Sequence, residues 1–518
     1  MNPTFTLTPQ LFQRLYSPSR CDLRLYLSHR GVKPSPPGAF ELVLARLGQR
    51  HEMSHLAQFP DHVDLTGAPA ERTADVLRSR TRVIYQGALK TFVRMKGIHV
   101  EVAGVPDFLI RADGGYVIRD CTLARRVGEA DHPEIARQLQ TYGLLFERTT
   151  GTRPVRLEVL AGDGALEALD YAGERAVIAS LRDMLKVISL PEGPCALAGR
   201  TACIGCRYQE YCMARAEKDG DITLVDDLDQ DLAAHLRGIG VSTLGDLVSR
   251  FDVKSLSEVK RLRGGRERKV GRSAASILLQ ARATLDSREL VIGKPRLPVS
   301  RNYAVFALEG LPPHLDELDK IYLWGMKVYG ERPGGFHASL AGAGARGDKA
   351  SWERFLTLAS DILLEYGDIP FVHWRPYERT KLNAYIERYG DRGGTAERVL
   401  SLLVELLPIT RAAIVLPDPG YSLTAVEKHA GFRRSQDEDA GERSLAKYIE
   451  AAETEDEETR RSFVNEIALH NEEDLRATWA VFEWLKSLSA WTGSRFTLMK
   501  SPLLSRQRFH EGSVKKVH

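Results

Sequence analysis

Residues 98–124 decide the fold of the first half of this chain. They read IHVEVAGVPDFLIR over Ile98–Arg111 and GYVIRDCTLA over Gly115–Ala124, meeting at the turn Asp113-Gly114-Gly115. Short apolar runs around a Gly-containing turn predict paired antiparallel strands. Gly104-Val105-Pro106-Asp107 closes one strand, and Asp120 follows thirteen residues later near the end of the next. Adjacent antiparallel strands bring two such carboxylates to one spot. With no cationic partner evident nearby, that pair suits Mg²⁺ or Mn²⁺. Upstream, His51 and Glu52 fall on a predicted helix and could complete the site. Downstream, Gln138 and Tyr142 share a face of the helix predicted over Pro133–Phe146.

A second cluster is made of thiols. Cys203, Cys206 and Cys212 form C-x2-C-x5-C, and Cys21 is a distant fourth partner. Cys121 and Cys195 lack such spacing. Residues 1–30 carry no apolar core of a secretory signal and no transit peptide is evident, so a disulfide framework is not expected. Four thiolates can hold zinc or an iron–sulfur cluster. His51-Glu52-Met53-Ser54-His55 also matches the zinc-protease pattern H-E-x-x-H, but no third ligand accompanies it.

The 518 residues are 43% hydrophobic and 27% charged, with a net charge of +3. That composition is globular, and no apolar run is long enough for a membrane span. About three domains are expected from the length. The charge is unevenly placed. EVKRLRGGRERKVGR, residues 258–272, holds seven Lys or Arg against two Glu. The tail from Arg495 is basic too, and 437–458 is dense in Asp and Glu, which predicts a solvated loop. Residues 5–60 and 222–290 read as helical. Gly238-Ile239-Gly240 between two short helices suits a helix-hairpin-helix turn, whose amides would take a phosphate. With Lys260, Arg261, Arg263, Arg266, Arg268 and Lys269 it forms the expected nucleic-acid-binding surface.

The order Cys, Gly-x-x-His-Glu, Gly-x-x-Asp, Asp-x-Lys, Gln-x-x-x-Tyr, Cys triplet resembles the RecB-like branch of PD-(D/E)xK nucleases that carries a 4Fe-4S cluster. The resemblance implies Mg²⁺ or Mn²⁺ ligands at His51, Glu52, Asp107 and Asp120, supported by Gln138 and Tyr142. It implies cluster ligands at Cys21, Cys203, Cys206 and Cys212, and favours iron–sulfur over zinc. One element departs: the lysine slot of Asp120-Cys121-Thr122 holds threonine. Arg119, Arg125 or Arg126 could supply charge from nearby, but arginine is not a base.

From the helix-hairpin-helix onward, YSLTAVEKHAGF and ALHNEEDLRATWAVFEWL resemble RecB-like nucleases fused to an RNase H-like domain. That resemblance implies a metal site from first-strand and last-helix acids: Glu309, Glu378, Glu405, His470 and Asp474. It is degenerate, because Ala307-Leu308-Glu309 stands where Asp-x-Glu is usual. The expected architecture is α/β and multidomain. It comprises a restriction-endonuclease-like domain over 1–220, a helical helix-hairpin-helix domain over 221–294, an RNase H-like domain over 299–490 and a basic tail over 491–518. The expected function is metal-dependent cleavage of nucleic acid, DNA rather than RNA, in the cytoplasm. The alternative is an inactive nucleic-acid-binding subunit of a repair or defence assembly.

Restoring the missing charge tests the first site. Thr122→Lys should raise Mn²⁺-dependent cleavage tenfold or more, within the ~10²–10³ that one well-placed electrostatic group contributes. An unchanged rate would show that this slot does not face the reacting phosphate.

Overall fold

The computed structural model describes residues 5–95, 97–128, 130–197, 203–263, 266–311, 320–342, 344–435, 440–489 and 498–499. The strands expected from residues 98–124 are present as Ile98–Gly104, Phe108–Ala112 and Gly115–Cys121. The last two pair antiparallel, with Phe108 opposite Arg119. Gly115–Cys121 then pairs in parallel with Arg156–Leu160, so it lies inside a six-stranded sheet. Its Val117 and Ile118 are buried on successive positions, as an interior strand requires.

Alternation along that strand places the flanking helices. Asp120 turns toward the helix Pro133–Thr150, where Gln138 meets it, while Arg119 turns toward His55 on the helix Ala39–Leu56. Pro133 opens its helix and Gly151, at φ 76, ends it. The N-terminal segment is not helical throughout. Phe5–Leu7 is a strand running parallel to Ile98–Gly104, and Leu89–Met95 completes that three-stranded sheet.

The middle of the chain packs the helices Gln230–Gly238, Leu244–Arg250, Val253–Glu258 and Ser273–Asp286 around Leu232, Leu236, Leu247 and Ile277. The all-helical expectation for 222–290 fails at the basic run. Lys260–Arg263 and Arg266–Lys269 form an antiparallel hairpin. The sequence holds a physical reason against a helix here, since each of the consecutive glycines Gly264 and Gly265 costs a helix about 1 kcal/mol.

Beyond residue 300 a five-stranded sheet runs in the order Phe336–Leu340, Ile321–Gly330, Asn302–Gly310, Phe371–His373, Leu403–Glu405. The first two pairings are antiparallel and the last two parallel. On one face Phe306 and Trp324 pack against Trp352 and Phe355 of the helix Gly344–Tyr366, and on the other Tyr303 and Val305 pack under Phe482 and Leu485 of the long helix Glu457–Ser489. The acidic stretch is not a solvated loop where it is described: Ala440–Glu453 is a helix with Ala446, Tyr448 and Ala451 buried. Its apolar positions recur at helical spacing and outweigh the charge count. Asp437, Glu438 and the basic tail beyond Met499 lie outside the described residues.

Two glycines are set by close approach. A side chain at Gly104 would lie 2.8 Å from the Tyr142 ring and 2.9 Å from Pro9. At Gly325 it would collide with the Asn471 amide at 1.7 Å. The Gly-x-x-Asp glycine is thus dictated by the tyrosine packed behind the acidic pair. Gly104→Ala should cost about 1–3 kcal/mol through overpacking, read as a lowered Tm. An unchanged Tm would show that the Tyr142 ring is free to move.

Candidate metal-binding sites

The first site lies where the two strand ends meet the helices Ala39–Leu56 and Pro133–Thr150. Glu52, Gln86, Asp107, Asp120, Thr122, Gln138 and Tyr142 all line one open cleft. The Asp107 amide donates to Asp120 Oδ1 at 3.1 Å, and the Cys121 amide donates to Asp107 Oδ2 at 2.8 Å. Gln138 Nε2 donates to Asp120 Oδ2 at 2.6 Å, as its place beside Tyr142 on one helix face predicted. Tyr142 is buried behind them.

Gln86 was not legible in the sequence. Its Nε2 donates both to Glu52 Oε1 at 2.7 Å and to Asp107 Oδ1 at 3.0 Å. It holds φ 52, in the left-handed region uncommon for a non-glycine residue. Such strain persists where surrounding contacts enforce it, and here its amide also donates to the Asp107 carbonyl at 2.9 Å. The amide group sits where a cation would have to satisfy the same two carboxylates.

Burial drives the Asp107 carboxyl well above the usual range, helped by the charges of Asp120 and Glu52. Asp120 is also raised, by burial first, against the opposing donation from the Asp107 amide and Gln138. Glu52, Asp107 and Asp120 all offer oxygen, and the set carries excess negative charge. Hard divalent cations fit that chemistry.

His51 is not part of this cleft. Its Nε2 lies 3.3 Å from the Leu160 carbonyl, since one residue along a helix turns the side chain by about 100° away from Glu52. Arg119 does not fill the lysine slot either, because Glu158 holds it at Nε with 2.9 Å and His55 Nε2 lies 2.9 Å from Nη1. Buried beside that guanidinium, His55 is lowered to about 4 by burial first and Arg119 second, so it is an uncharged partner of arginine. This disposes of the H-E-x-x-H pattern as a zinc motif.

The second site is built by the strand Asn302–Gly310 and the long helix Glu457–Ser489. Glu309, His470 and Asp474 bring one ligand atom each within 4.8 Å of one another, the one such set of three among the described residues. His470 Nε2 stands 3.8 Å from Glu309 and 4.0 Å from Asp474. Burial raises the Glu309 carboxyl, and the charges of Asp474 and Glu378 add to it. Glu378 meets His373 Nδ1 at 3.2 Å. Glu405 pairs in register with His373 two strands away from Glu309 and is not in the triad, because the edge strand ends beside the sheet's parallel half.

Arg434 is a member of this site that the sequence pattern does not single out. Its Nη1 pairs with Asp474 at 2.6 Å, while Nε and Nη2 hold Glu427 at 2.7 and 2.9 Å. It follows YSLTAVEKHAGF, where a basic residue beyond an acid-bearing helix was the available signal.

Cys21, Cys203, Cys206 and Cys212 line one pocket with Arg24 and Tyr208. Cys21 caps the helix Asp22–His29 by accepting from the Arg24 amide at 3.4 Å, and Arg24 Nη1 lies 3.8 Å from Cys206 Sγ. Burial, then the neighbouring thiols, push Cys212 up to about 12. All six cysteines are free of disulfides, and Cys121 lies in the acidic cleft rather than here.

The expected nucleic-acid surface is reduced. Arg261 is buried and clasped by Asp229 at 2.6 Å, and Lys260 pairs with Glu267 at 2.9 Å. Lys269 is paired with Glu258. Arg266 and Arg268 are exposed, and the Arg263 side chain lies outside the described residues. The turn amides at Gly240 and Val241 donate to Arg237 and Leu236, and those of Ser242 and Thr243 donate to the Asp246 carboxylate. Gly238 ends its helix without a free donor row, so this turn offers no phosphate cradle.

A family model of the RNase H superfamily matches residues 309–486. The solved structure titled "Crystal structure of SSO0001" aligns at 16% identity over 41% of this chain and 88% of that one. Its TM-score of 0.24 is too low to transfer a fold. No curated protein matches the chain.

The acidic cleft makes a pH-dependent prediction. Folding raises the Asp107 and Asp120 pKa values, so the folded chain holds protons that the unfolded chain releases. This contribution is most favourable below the unfolded value near 4 and is lost as pH rises through the folded values. In EDTA, the fall in Tm between pH 5 and pH 9 should be smaller in Asp120→Asn than in the native chain, by a few degrees. Mn²⁺ should recover the native chain more than the variant. Equal slopes would mean that the two carboxylates do not repel.

Proposed function

We propose that this chain is a metal-dependent nuclease. An RNase H-like region forms its C-terminal part, and a PD-(D/E)xK domain over 1–220 carries the working site. The observation that carries the reading is the convergence of Glu52, Asp107 and Asp120 in an open cleft, backed by Gln138 and Tyr142. Glu52, Asp107 and Asp120 would hold Mg²⁺ or Mn²⁺, which supplies Lewis acidity toward a phosphoryl oxygen when bound. Gln86 would swing its amide from the two carboxylates, and Gln138 would keep Asp120 oriented. With Thr122 in the lysine slot, the chain supplies no cation of its own there, so the rate should be modest.

In this reading the four-cysteine pocket holds a 4Fe-4S cluster that ties residue 21 to the segment ending the first domain. A single zinc draws four thiolates to about 3.8 Å from each other at Zn–S distances near 2.3 Å. No three thiols lie within 4.8 Å of one another among the described residues, so the cluster reading rests on the order of the cysteine motif and not on the spacing of the sulfurs. Residues 221–294 form the helix-hairpin-helix domain, and contact with nucleic acid falls to exposed residues such as Arg266 and Arg268 rather than to the turn. A reducing, cytoplasmic setting would keep the thiols available. No helix of the described residues is long and apolar enough to cross a membrane.

A second reading is favoured by specific residues. Ala307 replaces an acid in the second site, and Arg434 already neutralises Asp474 there. The RNase H-like region then serves binding or assembly in a repair or defence complex rather than hydrolysis.

Anaerobically purified protein should cleave labelled DNA with Mn²⁺, and Asp107→Ala should lose at least a hundredfold while Glu309→Gln changes the rate less than twofold. Loss of cleavage in Glu309→Gln alone would move the active site to the second domain. DNA binding with no cleavage by the native protein or by either variant would establish the recognition role.

A further inference from the structure

A permanent cation is buried at the four-cysteine pocket. Arg24, on the helix Asp22–His29, is 5% exposed and lines the pocket with Cys21, Cys203, Cys206 and Cys212. A guanidinium stays protonated in any protein environment, so burying one calls for negative charge nearby. None of the described residues lining the pocket is acidic, and Arg24 is the one cation among them. Nor does any carboxylate among the described residues pair with it elsewhere.

The N–H groups of Arg24 meet two kinds of acceptor. Nε donates to the Arg14 carbonyl at 2.5 Å, and Nη2 donates to the carbonyls of Leu15, at 3.3 Å, and Ser19. Those carbonyls satisfy hydrogen bonds but carry no net charge. Nη1 instead lies 3.8 Å from Cys206 Sγ. The Arg24 backbone amide donates to Cys21 Sγ at 3.4 Å. One residue therefore meets two of the four sulfurs, and they come from segments far apart in the sequence. Leu23, Leu27 and Tyr208 are buried around them, and the Tyr208 hydroxyl donates to the Val32 carbonyl at 3.0 Å. The sulfurs are what remains to balance the guanidinium. Four neutral thiols would leave it uncompensated. Four thiolates around a dication, or around a dicationic iron–sulfur core, carry two negative charges in excess, and one arginine cancels one of them.

We infer that Arg24 is the charge partner of a thiolate-held metal group, acting on Cys206 through its guanidinium and on Cys21 through its amide. Its positive charge holds the group in the pocket and, where the group is an iron–sulfur cluster, raises the reduction potential. Hydrogen bonds and charge beside the sulfurs are the levers by which a protein tunes such a group. This rests on the cysteine-site reading and adds to it the residue that sets how firmly the group is held.

Full-length protein purified without oxygen is assayed for iron, sulfide and zinc, and then for the rate at which a chelator withdraws the metal. Arg24→Gln removes the charge. Arg24→Lys keeps it but gives up the fork that spans the three carbonyls. Metal should leave Arg24→Gln at least tenfold faster than the native chain, and Arg24→Lys within threefold of it. With an iron–sulfur cluster, a dithionite titration followed in the visible spectrum should favour the oxidised form tenfold in Arg24→Gln, a potential about 59 mV lower for one electron. If Arg24→Gln takes up no metal, Arg24→Lys decides, and native-like retention supports the charge role. A lysine variant as impaired as the glutamine variant would make Arg24 a staple of its three carbonyls and overturn the inference. So would native behaviour in Arg24→Gln, with the cysteine-site reading left standing. Zinc in the native chain would overturn the iron–sulfur assignment alone, and a native chain with no metal would overturn both.

Discussion

Carboxylates removed from water must share a proton, meet a cation or accept hydrogen bonds, and both acidic sites of this chain are organised by that requirement. In the first, Asp107 and Asp120 take backbone amides from each other's strand, and two glutamines cap the remaining oxygens. In the second, Glu309 is buried beside His470 and Asp474, and the Arg434 guanidinium provides the fixed positive charge. The difference has a chemical consequence. An amide side chain can yield its place to a metal ion with little electrostatic loss. A guanidinium paired with two carboxylates resists displacement, because each carboxylate would lose a full charge partner.

That contrast ranks the two sites. The first is open, acidic and capped by neutral donors, and in the proposed function it is the one that takes the divalent cation. The second keeps a three-residue ligand set, and Arg434 already supplies a cation to its Asp474. The RNase H superfamily match over 309–486 covers this second region. Its sheet and long helix are intact around Asn471, which is accommodated only because residue 325 is glycine.

Much of the first site was legible because it depends on short-range pattern. The Asp113-Gly114-Gly115 turn fixes strand pairing, pairing fixes the meeting of Asp107 with Asp120, and i, i+4 spacing brings Gln138 with Tyr142. Residues whose roles depend on three-dimensional approach were not. Gln86 precedes the expected strands and acts through a positive φ that sequence does not announce. Arg434 reaches Asp474 from a loop forty residues away in sequence. His51 illustrates the opposite failure, since neighbouring positions on a helix point to different places. The basic run misled because charge says nothing about pairing: three of its cations are held by Asp229, Glu267 and Glu258.

In the proposed function the cleft of Glu52, Asp107 and Asp120 is the principal divalent-cation site. Crystals soaked in Mn²⁺ and measured at the manganese absorption edge test it most directly. The strongest manganese anomalous peak should lie among those carboxylates, with the Gln86 amide turned away. A strong peak at Glu309, His470 and Asp474 with none in the first cleft would contradict it.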